Sequence, residues 1–330
     1  MFDILKPLLA CESFLVVTHA RPDGDAIGSQ LALGRFLERH GKTVILGGAD
    51  DTPSNLAWLD PSQSIEIFDG GPLQIVRFGE VDAVVIVDAN STSRLGRLET
   101  LVEDHHGKIF VVDHHPDPDE GFDDYAVDTT ASSTGEIVYD LITSTAPELI
   151  DEDVAVSLYT AIMTDTGSFR YGNVSPRMME IVADLLRRGS FTAEEVYNRV
   201  YKSRTKAGQL LLGNALQTIT LAAKGRLGYM KITRRMFDRT GASSSDVDAF
   251  TDYLLAIVGV DVAILFMQVG GSVKMSFRSQ GDIPVNTLAG IFGGGGHKNA
   301  SGAFVTGDVD TVISRVLREA NAIMPIQASN

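Results

Sequence analysis

The sequence predicts an α/β protein: a doubly wound, mainly parallel sheet in the N-terminal part, joined by a helical connector to a smaller C-terminal α/β domain. Three observations carry this. Short, continuously apolar runs such as Phe14-Leu15-Val16-Val17 and Ala83 to Val87 recur, and strands apolar on both faces are those of a parallel sheet covered on both sides. Segments of helical periodicity separate most of these runs. Several runs also stop at an acid or a histidine, the position where an open α/β sheet gathers its functional loops.

In order, Phe14 to Val17 is the first strand, ending in Thr18-His19, and Ala26 to His40 is the helix that follows. Thr43 to Leu46 is a second strand and Ile65 to Phe68 a weaker third. Ala83 to Val87 is a fourth, ending in Asp88, and Ile109 to Val112 a fifth, ending in Asp113. Ser133-Thr134-Gly135-Glu136 has capping-box spacing and opens a helix through about Ile142. A further helix, Asp151 to Met163, delivers Asp165 at its end. From Ser175 to Tyr201 the pattern is helical and increasingly charged, as a connector would be. Beyond it, strands at Leu227 to Ile232, Val260 to Val269 and Ser272 to Phe277, with helices around Ser245 to Ile257 and Val309 to Ala322, make the second domain. The expected divisions are 1–186, 187–206 and 207–330, with no internal repeat.

Composition narrows the function classes. At 330 residues the chain can bury two cores of ordinary size, and 44% hydrophobic with 22% charged residues is the balance of a folded soluble protein. Cys11 is the only cysteine, which excludes an internal disulfide and a cysteine-built zinc site and fits a reducing compartment. The first residues are interrupted by Asp3, Lys6, Pro7 and Glu12, and no long apolar run follows, so a cytoplasmic setting and no membrane are expected. A net charge of -15 argues against long duplexes held over a broad basic surface. Short anionic substrates remain compatible, because cations bound at an acidic site reverse the local field.

The polar residues at the strand ends carry the chemistry. His19-Ala20-Arg21-Pro22-Asp23-Gly24-Asp25 places an imidazole and two carboxylates around a glycine that permits a tight turn; the plain alternative is a solvated turn. Asp88, His114 and Asp165 end successive elements on the same edge. Six candidate ligands are too many for one ion and suit two, ~3.5–4 Å apart, the spacing that clamps attacking and leaving oxygens in phosphoryl transfer. Asp88, on a central strand, is the natural bridge. The imidazole and carboxylate mixture suits Mn²⁺, Fe²⁺ or Zn²⁺ better than Mg²⁺. A second Asp-His-His, Asp104-His105-His106, lies before the strand that ends in Asp113-His114-His115. It is ~16 Å away along five strand residues, and is read as a pair of solvated loop histidines.

Through THARPDGDA, VDAN, VDHHPD, TDTGSFRYGN, FRSQ and GGGGHKNASG, in that order, the chain resembles the DHH phosphoesterases with their associated C-terminal domain. The likeness is closest to the NrnA-like group of oligoribonucleases that also remove the 3′ phosphate of adenosine 3′,5′-bisphosphate. The resemblance implies that His19, Asp23 and Asp88 hold one Mn²⁺ and that Asp25, Asp88, His114 and Asp165 hold the other, with Mg²⁺ or Co²⁺ as alternative ions. It implies that Asp113 supports an imidazole, read as that of His114, and that His115 faces the substrate. It implies nucleotide binding by Arg278 and His297, and by the glycine-rich stretch with Gly294, Gly295, Gly296, Lys298 and Ser301.

The function expected is hydrolysis of short RNA or DNA oligonucleotides and of adenosine 3′,5′-bisphosphate, by a water activated between two divalent cations. A cyclic or linear di-adenylate phosphodiesterase would use the same residues. A processive exonuclease of the RecJ type is disfavoured by length and acidity, and a pyrophosphatase or polyphosphatase by the glycine-rich stretch. A nucleotide sensor without turnover is the reading from another class. The sequence leaves monomer and homodimer open.

Overall fold

The computed structural model describes residues 4–202, 204–247 and 249–323. The chain divides into two compact units, residues 1–203 and 204–330. The first unit begins with α1 (Leu5–Leu9), β1 (Ser13–Val17), α2 (Gly24–Arg39), β2 (Thr43–Gly48) and β3 (Ile65–Ile67). It continues with α3 (Pro72–Gly79), β4 (Ala83–Val87), α4 (Glu99–Glu103), β5 (Lys108–Asp113) and β6 (Asp124–Val127). Four helices close it: α5 (Thr134–Thr145), α6 (Glu152–Asp165), α7 (Pro176–Arg188) and α8 (Ala193–Tyr201).

All six strands are parallel, in the order β3-β2-β1-β4-β5-β6. The order reverses between β1 and β4, and the carboxyl ends of two strands that diverge in this way leave a crevice. His19 follows β1 and Asp88 follows β4, so the two residues flank that crevice. One face of the sheet carries Phe14, Val16, Val85 and Val112 into a core with α2, α5 and α6. The other carries Leu15, Val17, Val84 and Val111 against Phe78 and Val102 of α3 and α4. This double burial is why the strands read as unbroken apolar runs.

Two parts of this unit go beyond the expectation. The sixth strand was not foreseen: Asp124-Tyr125-Ala126-Val127 is short, lies at the edge and buries only Ala126. The stretch read as one helical connector is two helices, α7 and α8, separated where Thr192 begins a new capping box with Glu195. Val196 and Val200 of α8 are buried in the first unit's core.

The second unit comprises α9 (Lys206–Leu216), β7 (Thr220–Ala222), β8 (Leu227–Ile232), α10 (Arg234–Thr240), α11 (Asp252–Leu255) and β9 (Val262–Val269). It ends with β10 (Ser272–Ser279), α12 (Val285–Ile291), β11 (Gly295–His297), β12 (Ala300–Thr306) and α13 (Val309–Ile323). Its sheet runs β11-β12-β10-β9-β8-β7 and is antiparallel except for β8 beside β9. The region expected as one helix from Ser245 to Ile257 holds only a short 3-10 turn, Ser244–Val247, and the single turn α11. β11, β12 and α12 were not foreseen, because glycine and small residues mask their periodicity. Among the described residues, no helix is long and apolar enough to cross a membrane.

The register of α2 against α6 is set by Gly28, where a Cβ would sit 2.4 Å from the Ser157 carbonyl oxygen. Backbone cannot yield there as a flexible side chain could. Gly28→Ala is expected to lower unfolding stability in urea by about 1–3 kcal/mol; an unchanged midpoint would show that the two helices part without cost.

Candidate metal centre

The centre is assembled from the ends of β1, β4 and β5 and from the termini of α2, α5 and α6. Asp23 is the N-cap of α2, its Oδ1 accepting hydrogen bonds from the amides of Asp25 and Ala26. This turn sends Asp25 inward, where Oδ2 accepts from the Thr134 amide at 2.7 Å and Oδ1 from the Gly135 amide at 2.9 Å. Those amides are the free donors at the start of α5, a natural seat for a carboxylate. Asp165 is the last residue of α6, where the helix dipole opposes a negative charge.

Asp88 has φ +56. This left-handed conformation is uncommon outside glycine, and Asp tolerates it better than most residues. It aims the two carboxylate oxygens apart. Oδ2 lies 3.4 Å from His19 Nε2, and Oδ1 lies 3.7 Å from His114 Nε2. Around Asp88 the ligand atoms fall into compact groups: His19 with Asp23 and Asp88, and Asp25 with His114 and Asp165, each group within 4.8 Å of itself. His114 Nε2 is 3.8 Å from Asp25 Oδ2 and 3.7 Å from Asp165 Oδ2. The six residues His19, Asp23, Asp25, Asp88, His114 and Asp165 are thus brought together from four separate segments of chain, the first of them spanning His19 to Asp25.

Electrostatics shows what this cluster requires. Asp88 is held well above the usual carboxylate range by burial and then by Asp25, Asp23, Asp113 and Asp165. Burial likewise raises Asp25, and burial with the Asp25 and Asp23 charges raises Asp165 to about 8. Among the described residues, no lysine or arginine pairs with these three; their ion pairs run to histidines. The His19 ring points the same way. Its Nδ1–H donates to the Ala20 carbonyl at 2.9 Å, so in the neutral ring Nε2 turns a lone pair toward Asp88 Oδ2. Two acceptors that face each other call for a cation between them. A mixed oxygen and nitrogen donor set of this kind fits divalent ions such as Mn²⁺.

Asp113 and His115 act on each other. Asp113 is fully buried; burial would raise its pKa, but hydrogen bonding and charge from His115 outweigh it and hold the carboxyl low. An ionised Asp113 can only accept, so His115 Nδ1–H donates to its Oδ1 at 2.8 Å. The expected support of His114 by Asp113 is therefore replaced by support of His115, because residues two apart on an extended chain share a side. His115 also stands with Asp88 and His114 as a possible ligand group, but its atom nearest Asp88 is that same protonated Nδ1, at 3.9 Å. With its proton given to Asp113, that nitrogen turns no lone pair toward a cation.

Several positioning residues escaped the sequence reading. Thr134 Oγ1 donates to Asp88 Oδ1 at 3.0 Å. Asn90 Nδ2 donates to the carbonyls of His115 and Pro116 at 3.1 and 3.0 Å, which fixes the histidine loop. Asn173 Nδ2 donates to the Ser132 and Asp165 carbonyls. Asn90 and Asn173 stand inside the motifs VDAN and FRYGN, and Thr134 inside the capping sequence, so position in those stretches was the available signal. The Ser133 cap is present, but Glu136 accepts from the Ser132 amide instead of closing the box. His105, expected in solvent, is half-buried with neither ring nitrogen hydrogen-bonded, while His106 is exposed.

In the second unit, Arg278 lies on β10 and its Nη1 donates to the Phe277 carbonyl at 3.0 Å. His297 is on β11; its side chain lies outside the described residues. Two of the glycines stand where the backbone of a neighbouring strand comes close. The Gly294 amide donates to the Ala289 carbonyl, and a Cβ at Gly294 or Gly296 would meet the backbone of β12 at 2.1 or 2.6 Å. Gly295 pairs with Gly302 in the ladder. Lys298 pairs with Asp282 at 2.7 Å, and Ser301 Oγ donates to the Val285 carbonyl at 2.8 Å. Both side chains thus have partners within the protein.

Binding of Mn²⁺ to the metal-free protein at one hundred times its dissociation constant is expected to stabilise the fold by about 2.7 kcal/mol, read as a rise in Tm. Asp88→Asn should abolish most of that rise; a full rise in the variant would remove Asp88 from the metal sites.

Residues 13–162 match the DHH family, N-terminal domain, and residues 226–324 match the DHHA1 domain. The chain is 31% identical to the bifunctional oligoribonuclease and PAP phosphatase NrnA of Thermus thermophilus, covering 92% of this chain and 87% of that protein. It is 25% identical to the protein of the same name from Bacillus subtilis, covering 92% of each. The crystal structure of an exopolyphosphatase-related protein from Bacteroides fragilis superposes with a TM-score of 0.92 at 27% identity, covering 97% of this chain and 96% of that one. The chain belongs to the DHH family, with a DHH N-terminal domain followed by a DHHA1 domain.

Proposed function

We propose that this protein is a metal-dependent phosphoesterase that hydrolyses short oligoribonucleotides and adenosine 3′,5′-bisphosphate, the two activities in the names of its relatives from Thermus thermophilus and Bacillus subtilis. The observation that carries the reading is Asp88, whose two oxygens face separate ligand groups at the switch point of the sheet. His19, Asp23 and Asp88 would hold one divalent cation, and Asp25, Asp88, His114 and Asp165 the other, with Mn²⁺ among the ions that suit this donor set. Such a pair supplies Lewis acidity, lowering the pKa of water and polarising phosphoryl oxygens.

The chain's own residues do the rest. Asp113 orients the His115 ring through Nδ1, and the ring is the group assigned to carry a proton toward the leaving oxygen. Asn90 keeps that loop in place by holding two of its carbonyls. Arg278, on the second unit, grips a nucleotide phosphate with a guanidinium that no carboxylate neutralises among the described residues. His297 joins it as a nucleotide-binding residue.

A panel of adenosine 3′,5′-bisphosphate, linear and cyclic di-adenylate, RNA of graded length and polyphosphate, assayed with Mn²⁺, tests the substrate class. Turnover of the bisphosphate and the shortest RNAs is expected; no turnover of any member would overturn the enzymatic reading. In the same assay His115→Ala should lower kcat by roughly 10²–10⁴-fold with the Mn²⁺-induced rise in Tm retained. Loss of that rise would make His115 a ligand.

A further inference from the structure

The sheet of the second unit is covered unequally. One face, with Phe266, Val273, Met275 and Phe277, is packed by α12 and α13. On the opposite face, Ala263, Leu265 and Met267 of β9 pack with Leu211 and Leu212 of α9 and with Leu254 of α11. Past β9 the residues in register on that face are no longer in the apolar core. β10 places Lys274, Ser276 and Arg278 beside Met267, Leu265 and Ala263, and β12 places Phe304, Gly302 and Ala300 beside those in turn. Lys274 is exposed, and Phe304 is 58% exposed.

The charge of this surface is opposite to that of the chain. The protein carries 43 acidic residues, yet none stands in any strand of this sheet. Among the described residues neither Lys274 nor Arg278 has an ion pair. A bare aromatic ring beside an unneutralised ammonium, on a sheet face without carboxylates, has the chemistry of a single-stranded nucleic-acid platform: bases stack on the ring and cations meet the backbone. An apolar protein partner would instead have to bury Lys274 and Arg278 unpaired.

We propose that Lys274 and Phe304, paired across β10 and β12, form a subsite for a further nucleotide of a single-stranded oligonucleotide, its base stacked on Phe304 and its phosphate met by Lys274. Four residues of strand separate Lys274 from Arg278, ~14 Å, farther than one phosphate group reaches, so the two cations address different phosphates. The residues between them on this face, Ser276, Gly302 and Ala300, are small and half-buried. The proposal rests on the oligonucleotide reading above and extends it: a dinucleotide, with one internucleotide phosphate, reaches only one of the two cations, and a longer chain reaches both.

The test is steady-state kinetics on a dinucleotide, a trinucleotide and a pentanucleotide, with sedimentation of each variant. Phe304→Ala and Lys274→Ala are each expected to raise KM for the longer two by about tenfold, with kcat unchanged and the dinucleotide within about twofold. Phe304→Trp should restore the wild-type KM. Lys274→Ala should also flatten the salt dependence of log KM for the pentanucleotide by about 0.7. Equal effects at every length, or none at any length, would overturn the subsite, as would a change of oligomeric state in Phe304→Ala, which would show a second copy on this face. Failure of the wild type to hydrolyse even the dinucleotide would instead overturn the function proposed above.

Discussion

The active end of the first unit depends on one carboxylate that is placed where its charge is least welcome. Asp88 is buried, faces four other acids, and adopts a left-handed backbone conformation at the end of a central strand. Each of these features is costly in isolation. Together they put two carboxylate oxygens at the sheet's switch point, each turned toward a different imidazole. The conformation is anchored by the ladder itself, since the Asp88 amide still donates to the Val112 carbonyl at 3.1 Å. The sheet therefore supplies the order that makes so crowded a charge cluster possible.

The surrounding elements read as supports for that cluster. The start of α5 presents two amides to Asp25 and the Thr134 hydroxyl to Asp88. α2 brings Asp23 and Asp25 from its first turn, and its depth in the fold is set by Gly28 against α6, the helix whose end carries Asp165. A displacement between α2 and α6 would thus separate ligands of one group. Packing and chemistry are coupled through a backbone contact about one helical turn from Asp25.

Much of this was legible in the sequence, and the reason is positional. A continuous apolar run ending in an acid or histidine announces both a buried strand and a residue at its open end, so His19, Asp88 and His114 could be placed without coordinates. The two Asp-His-His triplets show that composition carried no such signal: one ends a strand and enters the cluster, while the other precedes the same strand and leaves the His105 ring half-buried with neither nitrogen hydrogen-bonded. What stayed hidden depends on long-range contact. Nothing in the local pattern says that Thr134 will reach Asp88, whereas the bond from His115 to Asp113 is local and the two-residue alternation of an extended chain was its signal. Glycine-rich β11 and small-residue β12 hid a strand pair, because residues chosen for close backbone approach have no apolar period. The concealed β12 is also the strand that sets Phe304 beside Lys274 of β10.

The account stands on Asp88 bridging two ions. Anomalous diffraction from crystals grown with Mn²⁺ tests it most directly. Two peaks on either side of Asp88, one against His19 and Asp23 and the other against Asp25, His114 and Asp165, are predicted. A single peak, or two peaks of which Asp88 touches only one, would contradict it.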